Sequence, residues 1–253
     1  MKVNWDYTDL ADAYLKRPEY VSSAIDSMLQ KVKLSEPGTI CDVGAGTAHL
    51  THMLASKGHT VYAVEPNSKM RAHGMKRTCK LSNVLWFDGV GEETGMETGK
   101  FALVTFGSSF NVCDQIAALR ESYRILRPNG FFACMWNHRG LDNPLQQEIE
   151  SIIQKYIINY SYGSRREDQS ALIESSGLFK CLDYIEESAI MSIPTEDFIE
   201  GWKSHGTLYR QAQDKFQNII DEIRNSVLKH DENGFVKVPY TTRIWVALRN
   251  EVV

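Results

Sequence analysis

Residues Ile40–Leu50 read I-C-D-V-G-A-G-T-A-H-L, an apolar run that turns through two glycines into a helical pattern. Gly44 and Gly46 open backbone angles and close approaches that a side chain forbids. The helix expected from Thr47 presents free N–H groups at its positive end. Strand, glycine turn and helix in that order open a βαβ unit able to hold a polar cofactor against bare backbone. Two kinds of cofactor use such a turn, dinucleotides and S-adenosylmethionine.

The pattern repeats downstream. Strand-like runs at Thr39–Val43, Thr60–Glu65, Val84–Asp88, Phe101–Phe106 and Phe131–Trp136 alternate with helical periodicity at Ala48–Lys57, Ser68–Lys80 and Asp114–Leu126. Alternation of this kind predicts a parallel sheet covered on both faces. Gly89–Lys100 reads as a glycine-rich polar loop, and Arg127-Pro128-Asn129-Gly130 as a turn that stops the preceding helix. Beyond Trp136 the spacing predicts helices over Leu145–Tyr156 and Gln169–Ser176, a strand near Leu182–Glu187 and a helical stretch over Thr195–Lys229. Val236–Leu248, rich in β-branched and aromatic residues, reads as a final strand. A return to the sheet so late implies one domain over 1–253. Its parts are an N-terminal lid segment at 1–36, a cofactor-binding core at 37–140, a half with helical insertions at 141–232 and a last strand within 233–253. The inserted helices would cover the carboxyl ends of the strands, where open α/β sheets bind ligands.

Composition excludes several functions. A net charge of −4 without a basic run removes the general attraction to phosphate backbones, so no nucleic-acid partner is expected. No segment approaches the roughly 18 unbroken apolar residues of a membrane span, and the first ten residues carry acids where a secretion signal is apolar. A cytoplasmic protein, monomeric or homodimeric, is the expectation. Cys41, Cys79, Cys113, Cys134 and Cys181 show no zinc or redox spacing and read as buried free thiols. His49, His52 and His59 do not converge on a metal, and none is expected.

A dinucleotide fingerprint counted from Gly44 needs a third glycine at position 49, which is His49. An acid-x-Gly-x-Gly-x-Gly turn fits better, with Asp42, Gly44 and Gly46 in place and Ala48 standing for the last glycine. Glu65 follows 19 residues after Gly46, at a strand end where a carboxylate accepts from two ribose hydroxyls. Asp88-Gly89 ends the third strand, Gly107-Ser108-Ser109-Phe110 the fourth, and Tyr14-Leu15-Lys16-Arg17-Pro18-Glu19-Tyr20 precedes the core.

With these motifs in order, the chain resembles the class I S-adenosylmethionine-dependent methyltransferases, in particular the small-molecule "methyltransferase type 11" group. The resemblance implies a Rossmann-like, doubly wound, seven-stranded, mostly parallel α/β sheet with helices on both faces. It also implies S-adenosyl-L-methionine as methyl donor and S-adenosyl-L-homocysteine as product. The donor site it implies comprises Tyr14, Arg17, Asp42, Gly44, Ala45, Gly46, Glu65, Pro66, Met70, Asp88, Gly89, Gly107 and Ser108. Arg17 would approach the cofactor carboxylate under the lid, with Tyr7 as a further lid residue, and Asp88 the adenine amino group.

Methyl transfer from a sulfonium is an SN2 displacement that needs chiefly alignment, and a base only for some acceptors. The expected acceptor is an O or N atom of a small metabolite. A nucleic-acid base methyltransferase is the alternative within the fold, and an NAD-dependent oxidoreductase the alternative outside it. Many relatives carry a His and a Trp after the fourth strand, where this chain has Phe110-Asn111-Val112-Cys113-Asp114. Asn111 is left to orient a substrate group, while His138 and His205 are the candidate bases, with loop hydrogen bonding as the plain reading of each. Trp202 is a stacking candidate or a core residue. Arg165-Arg166 and Tyr209-Arg210 read as solvated charge by default, or as cations offered to an acidic substrate.

Overall fold

The structure is a computed structural model that describes residues 6–34 and 38–251, so residues 1–5 and 35–36 of the lid segment lie outside the described residues. A short helix α1 (Ala11–Tyr14) and α2 (Ser22–Lys31) precede strand β1 (Thr39–Val43). Then follow α3 (His49–Ser56), β2 (Thr60–Val64), α4 (Ser68–Arg77), β3 (Val84–Phe87), β4 (Phe101–Gly107), α5 (Gln115–Ile125) and β5 (Leu126–Arg139). The second half runs α6 (Pro144–Tyr156), α7 (Ser170–Ser175), β6 (Phe179–Pro194), α8 (Thr195–Lys203), α9 (Gly206–Ala212), α10 (Phe216–Lys229) and β7 (Phe235–Arg249).

The seven strands lie in the order β3-β2-β1-β4-β5-β7-β6. Strands β3 to β5 pair in parallel, whereas β7 runs antiparallel to both of its neighbours. The chain reverses its direction of travel across the sheet between β1 and β4, so a crevice opens at their carboxyl ends. One apolar cluster, with Phe106, Phe110 and Phe132 in mutual ring contact at 5.3–5.6 Å, joins the sheet to α5 and α7. A second packs α2 and α3 against the sheet, and a third ties α6, α8, α9 and α10 into the cover.

Local chemistry sets the element ends. Asn67, Asp114 and Asn143 cap α4, α5 and α6 by accepting backbone N–H bonds, and Pro144 takes the first turn of α6, where no N–H is needed. Helix α3 starts at His49, since Ala48 is left-handed with φ +69°. Strand β5 begins before the expected turn, because Asn129 (φ +58°) absorbs the extra residues in a bulge. The strand expected over Leu182–Glu187 extends to Phe179–Pro194, since β7 pairs with it along its whole length. The single helical stretch expected over Thr195–Lys229 is three helices, broken at Ser204-His205 and at Gln213 (φ +49°). Of the cysteines only Cys41 and Cys134 are buried; Cys79 is exposed, and Cys113 and Cys181 are half-buried. Among the described residues no helix is long and apolar enough to cross a membrane.

Candidate active site

Two adjoining cavities lie at the carboxyl ends of the parallel strands. The larger encloses about 570 Å³ and is walled by Gly44, Gly46, Glu65, Pro66, Met70, Gly107 and Ser108 from the expected set. Tyr14 stands at its edge together with Asp6, Tyr7, Asn67, Ser109, Val112 and Cys113. Gly44 has φ +67°, and a Cβ there would meet the Ser109 Cβ at 2.4 Å, so only glycine fits this turn of the wall. Ser109 is fixed in turn by donating to the Val43 carbonyl at 2.6 Å.

Glu65 is suspended over this cavity. One carboxylate oxygen accepts the Gly46 N–H at 2.8 Å and the other the Asn67 N–H at 2.9 Å. Burial pushes its pKa up, opposed by those two donors and by Arg71. Each oxygen keeps a lone pair for a hydroxyl in the cavity.

Several residues of the expected donor site lie elsewhere. Asp42 is buried beneath the glycine turn, where Thr51 of α3 and Thr105 of β4 donate to its two oxygens at 2.6 and 2.9 Å. Burial lifts its carboxyl to about 6, and it lines neither cavity. The Ala45 N–H is taken by the Val64 carbonyl. Asp88 points to solvent and pairs with Arg71 at 3.2 Å. A Cβ at Gly89 would meet the Thr94 carbonyl oxygen at 2.8 Å, so this edge of the cavity is formed by Val90, Gly91 and Glu92 instead. Arg17 lines the second cavity, not the first. Its guanidinium donates to the Ser204 hydroxyl at 2.7 Å and carbonyl at 2.6 Å, and it lies 3.9 Å over the Tyr14 ring.

His49 has a role that its sequence position conceals. Its buried ring sits between the Thr47 hydroxyl (3.0 Å to Nδ1) and the Arg17 carbonyl (2.9 Å to Nε2). Burial and neighbouring cations push its pKa down to about 3, so the ring is neutral, Nε2–H donates to Arg17 and Nδ1 accepts from Thr47. The glycine turn thereby holds the N-terminal segment. Asn137 adds a donated bond to the Glu19 carbonyl at 2.9 Å, and Thr242 accepts the Val21 N–H at 2.8 Å.

The second cavity, about 100 Å³, lies inward and shares Tyr7, Tyr14 and Ser108 with the first. The structure brings Asn111, His138 and His205 together on its wall. Asn111 accepts the Trp136 indole N–H at 2.9 Å, which leaves its amide NH₂ free to face the cavity. The His138 Nε2 has no partner, and burial with the charges of Arg166, Arg165, Arg243 and Arg139 pushes its pKa down to about 3. His205 accepts from Arg139 through Nε2 at 2.5 Å and is also held well below the ordinary histidine range by burial. Both rings are therefore neutral and weakly basic, which is poor equipment for the general base expected of either. Trp202 is fully buried, with the His205 ring stacked on it at 4.6 Å and Arg139 at 3.8 Å, so it supports the wall without lining it. Arg165 and Arg166, for which the sequence left open solvated charge or cations offered to an acidic substrate, belong to the wall.

Comparison with known proteins bears on this architecture. Residues 41–134 match the family model described as "Methyltransferase domain". An uncharacterised methyltransferase of Schizosaccharomyces pombe is 30% identical over 149 residues, 58% of this chain and 58% of that protein. Over this core the chain is similar to the class I S-adenosylmethionine-dependent methyltransferases. Its alignments span little more than half the length of the curated relatives that it matches. The fold of this chain is shared with the YcgJ protein of Bacillus subtilis, with a TM-score of 0.57 at 16% identity over 92% of this chain and 100% of that one. It is shared too with a geranyl diphosphate methyltransferase in complex with S-adenosylmethionine, with a TM-score of 0.52 at 16% identity over 90% and 85% of the two chains.

Proposed function

We propose that the larger cavity binds S-adenosylmethionine and that the methyltransferase acts on a small molecule held in the inner cavity. The observation that carries this is Glu65, a buried carboxylate fixed by two backbone donors with acceptor capacity left toward a cavity of about 570 Å³. That volume and chemistry suit a nucleoside with two ribose hydroxyls. Gly44 and Gly46 admit it close to the backbone, Pro66 and Met70 add apolar wall, and the Gly107-Ser108 step separates it from the inner cavity. When bound, the donor supplies an electrophilic methyl group on a sulfonium.

The chain's own part is alignment and exclusion of water. Tyr20, hydrogen-bonded to Ser108 at 2.9 Å, and Tyr14 frame the passage between the cavities, and the His49 tether keeps the N-terminal segment over it. An enclosed inner cavity in a chain of charge −4 favours a small acceptor over a nucleic acid. His49 fills the helix start where a dinucleotide site needs glycine, which disfavours NAD.

Titration of the purified protein with S-adenosylhomocysteine and with NADH tests the reading: the first should bind and the second should not. Replacing Glu65 by Ala removes charge-assisted bonds of about 1.5–3 kcal/mol and should weaken S-adenosylhomocysteine binding about tenfold or more. Undiminished binding would reject the ribose role.

A further inference from the structure

The inner cavity is electrostatically unlike the rest of the molecule. Its wall carries Arg17, Arg139, Arg165 and Arg166 and, among the described residues, no Asp or Glu, in a chain whose net charge is −4. Arginine ion pairs are formed elsewhere, as by Arg71, Arg77, Arg124, Arg224 and Arg243. Glu150, whose charge acts on Arg166, stands behind Tyr162, which donates to it. Four guanidiniums around one small space repel one another, and that arrangement is favourable only when an anion enters it.

The arginines are also held in place. Arg17 is fixed by Ser204, and Arg139 by Tyr240 (3.1 Å), by His205 and by its stacking on Trp202. Arg165 and Arg166 lie 5.1 and 4.7 Å from the Tyr162 ring centre, and the Nε of each is cut off from water with no partner. Burial and the neighbouring cations hold both below the ordinary arginine range. A guanidinium presents a fork of donors that matches a carboxylate, and four of them line this one cavity.

We propose that the methyl acceptor is a small organic acid, anchored by Arg165 and Arg166 and methylated on a carboxylate oxygen. The proposal rests on the reading of the larger cavity as the donor site. It accounts for the missing base, since an alcohol, phenol or ammonium acceptor must lose a proton, and the wall's three histidines, His49, His138 and His205, are all held weakly basic. A carboxylate arrives already anionic. Its oxygen forms the new O–C bond as the donor's C–S bond breaks and the electron pair stays on sulfur, so the negative and positive charges cancel and no proton moves. Asn111 and the Ser108 step then orient the acid, and the product is a methyl ester.

The test uses the whole protein, first saturated with S-adenosylhomocysteine and titrated calorimetrically with succinate, citrate and benzoate. Succinamide, benzamide and inorganic phosphate serve as controls. At least one acid should bind while its amide does not, and Arg165→Gln or Arg166→Gln should weaken that acid roughly tenfold to a hundredfold with unchanged affinity for S-adenosylhomocysteine. With tritiated methyl donor, the label transferred to the acid should be released as volatile methanol by mild base. Binding of none of the acids, binding of phosphate alone, binding indifferent to both substitutions, or base-stable label would each overturn the proposal. Failure of the donor reading looks different: S-adenosylhomocysteine would not bind, yet the acid would still bind in an Arg165-dependent way.

Discussion

Replacing Asp42 by Asn separates two roles that one carboxylate can have. Asp42 is buried, accepts from the Thr51 and Thr105 hydroxyls, and its carboxyl is lifted from the ordinary 3.8 to about 6 by burial, with Glu65 adding repulsion. A folded state that holds the proton more tightly than the unfolded chain is favoured at low pH. The stability Asp42 contributes is thus fully present below pH 3.8 and is lost as pH rises through about 6. At 1.36 kcal/mol per pH unit the loss approaches about 3 kcal/mol by neutrality, of which roughly 2 kcal/mol falls between pH 4 and pH 7. Asn has the same shape, accepts from one threonine and can donate to the other, whose hydroxyl reverses its role. Urea unfolding followed by tryptophan fluorescence at pH 4, 5, 6 and 7 should show the variant gaining roughly 2 kcal/mol on the wild type across that range. S-adenosylhomocysteine affinity should change by no more than a few fold, because Asp42 touches neither cavity. Parallel stability curves would refute the burial argument, and a large loss of affinity would return Asp42 to the donor site.

The other expectations concern the glycine turn, the tether and the inner cavity. Gly44→Ala should cost several kcal/mol, since a left-handed residue (φ +67°) would also drive a Cβ into Ser109, whereas Gly46→Ala should cost about 1–2 kcal/mol, its Cβ meeting only the flexible Met70 methyl at 3.3 Å; denaturant midpoints of the two variants check this order. His49→Ala leaves the Arg17 carbonyl and the Thr47 hydroxyl without their partner, a loss of about 1–3 kcal/mol. Amide exchange over residues 11–17 should then quicken about tenfold while β1 to β4 stay protected. With His138 neutral down to about pH 3, turnover at saturating donor should show no limb near 6.5, and a limb abolished by His138→Gln would make that ring the base after all.

What could be read from the residues follows from how local each cause is. The β1 to β5 alternation was legible because an apolar run of strand length and a helical period are properties of adjacent residues. That Gly44, Gly46 and Glu65 come together on one cavity wall was legible for the same reason, being set by turn geometry at fixed spacing. The burial of Asp42 was not legible, because its partners, Thr51 one helix on and Thr105 in a neighbouring strand, carry no signature as hydroxyl donors to it. The His49 tether ends on a backbone carbonyl, which no side-chain pattern reveals. Arg165 and Arg166 look like surface charge until the fold brings their turn back over the strand ends, and the break at Ser204-His205 is a corner that Arg17 and Arg139 reach from distant segments.

Past a bulge at Leu182, strands β6 and β7 pair as far as Pro194 and Phe235, which face each other in register. From the sheet's side, the whole of 195–234, with α8, α9 and α10, is therefore the tip of one hairpin. Its ends meet at a single rung, so its internal length and sequence can change without moving the strands that carry the glycine turn. Evolution, or a protein engineer, could exchange that tip for another and alter the wall that His205 contributes while the half with the glycine turn is inherited intact.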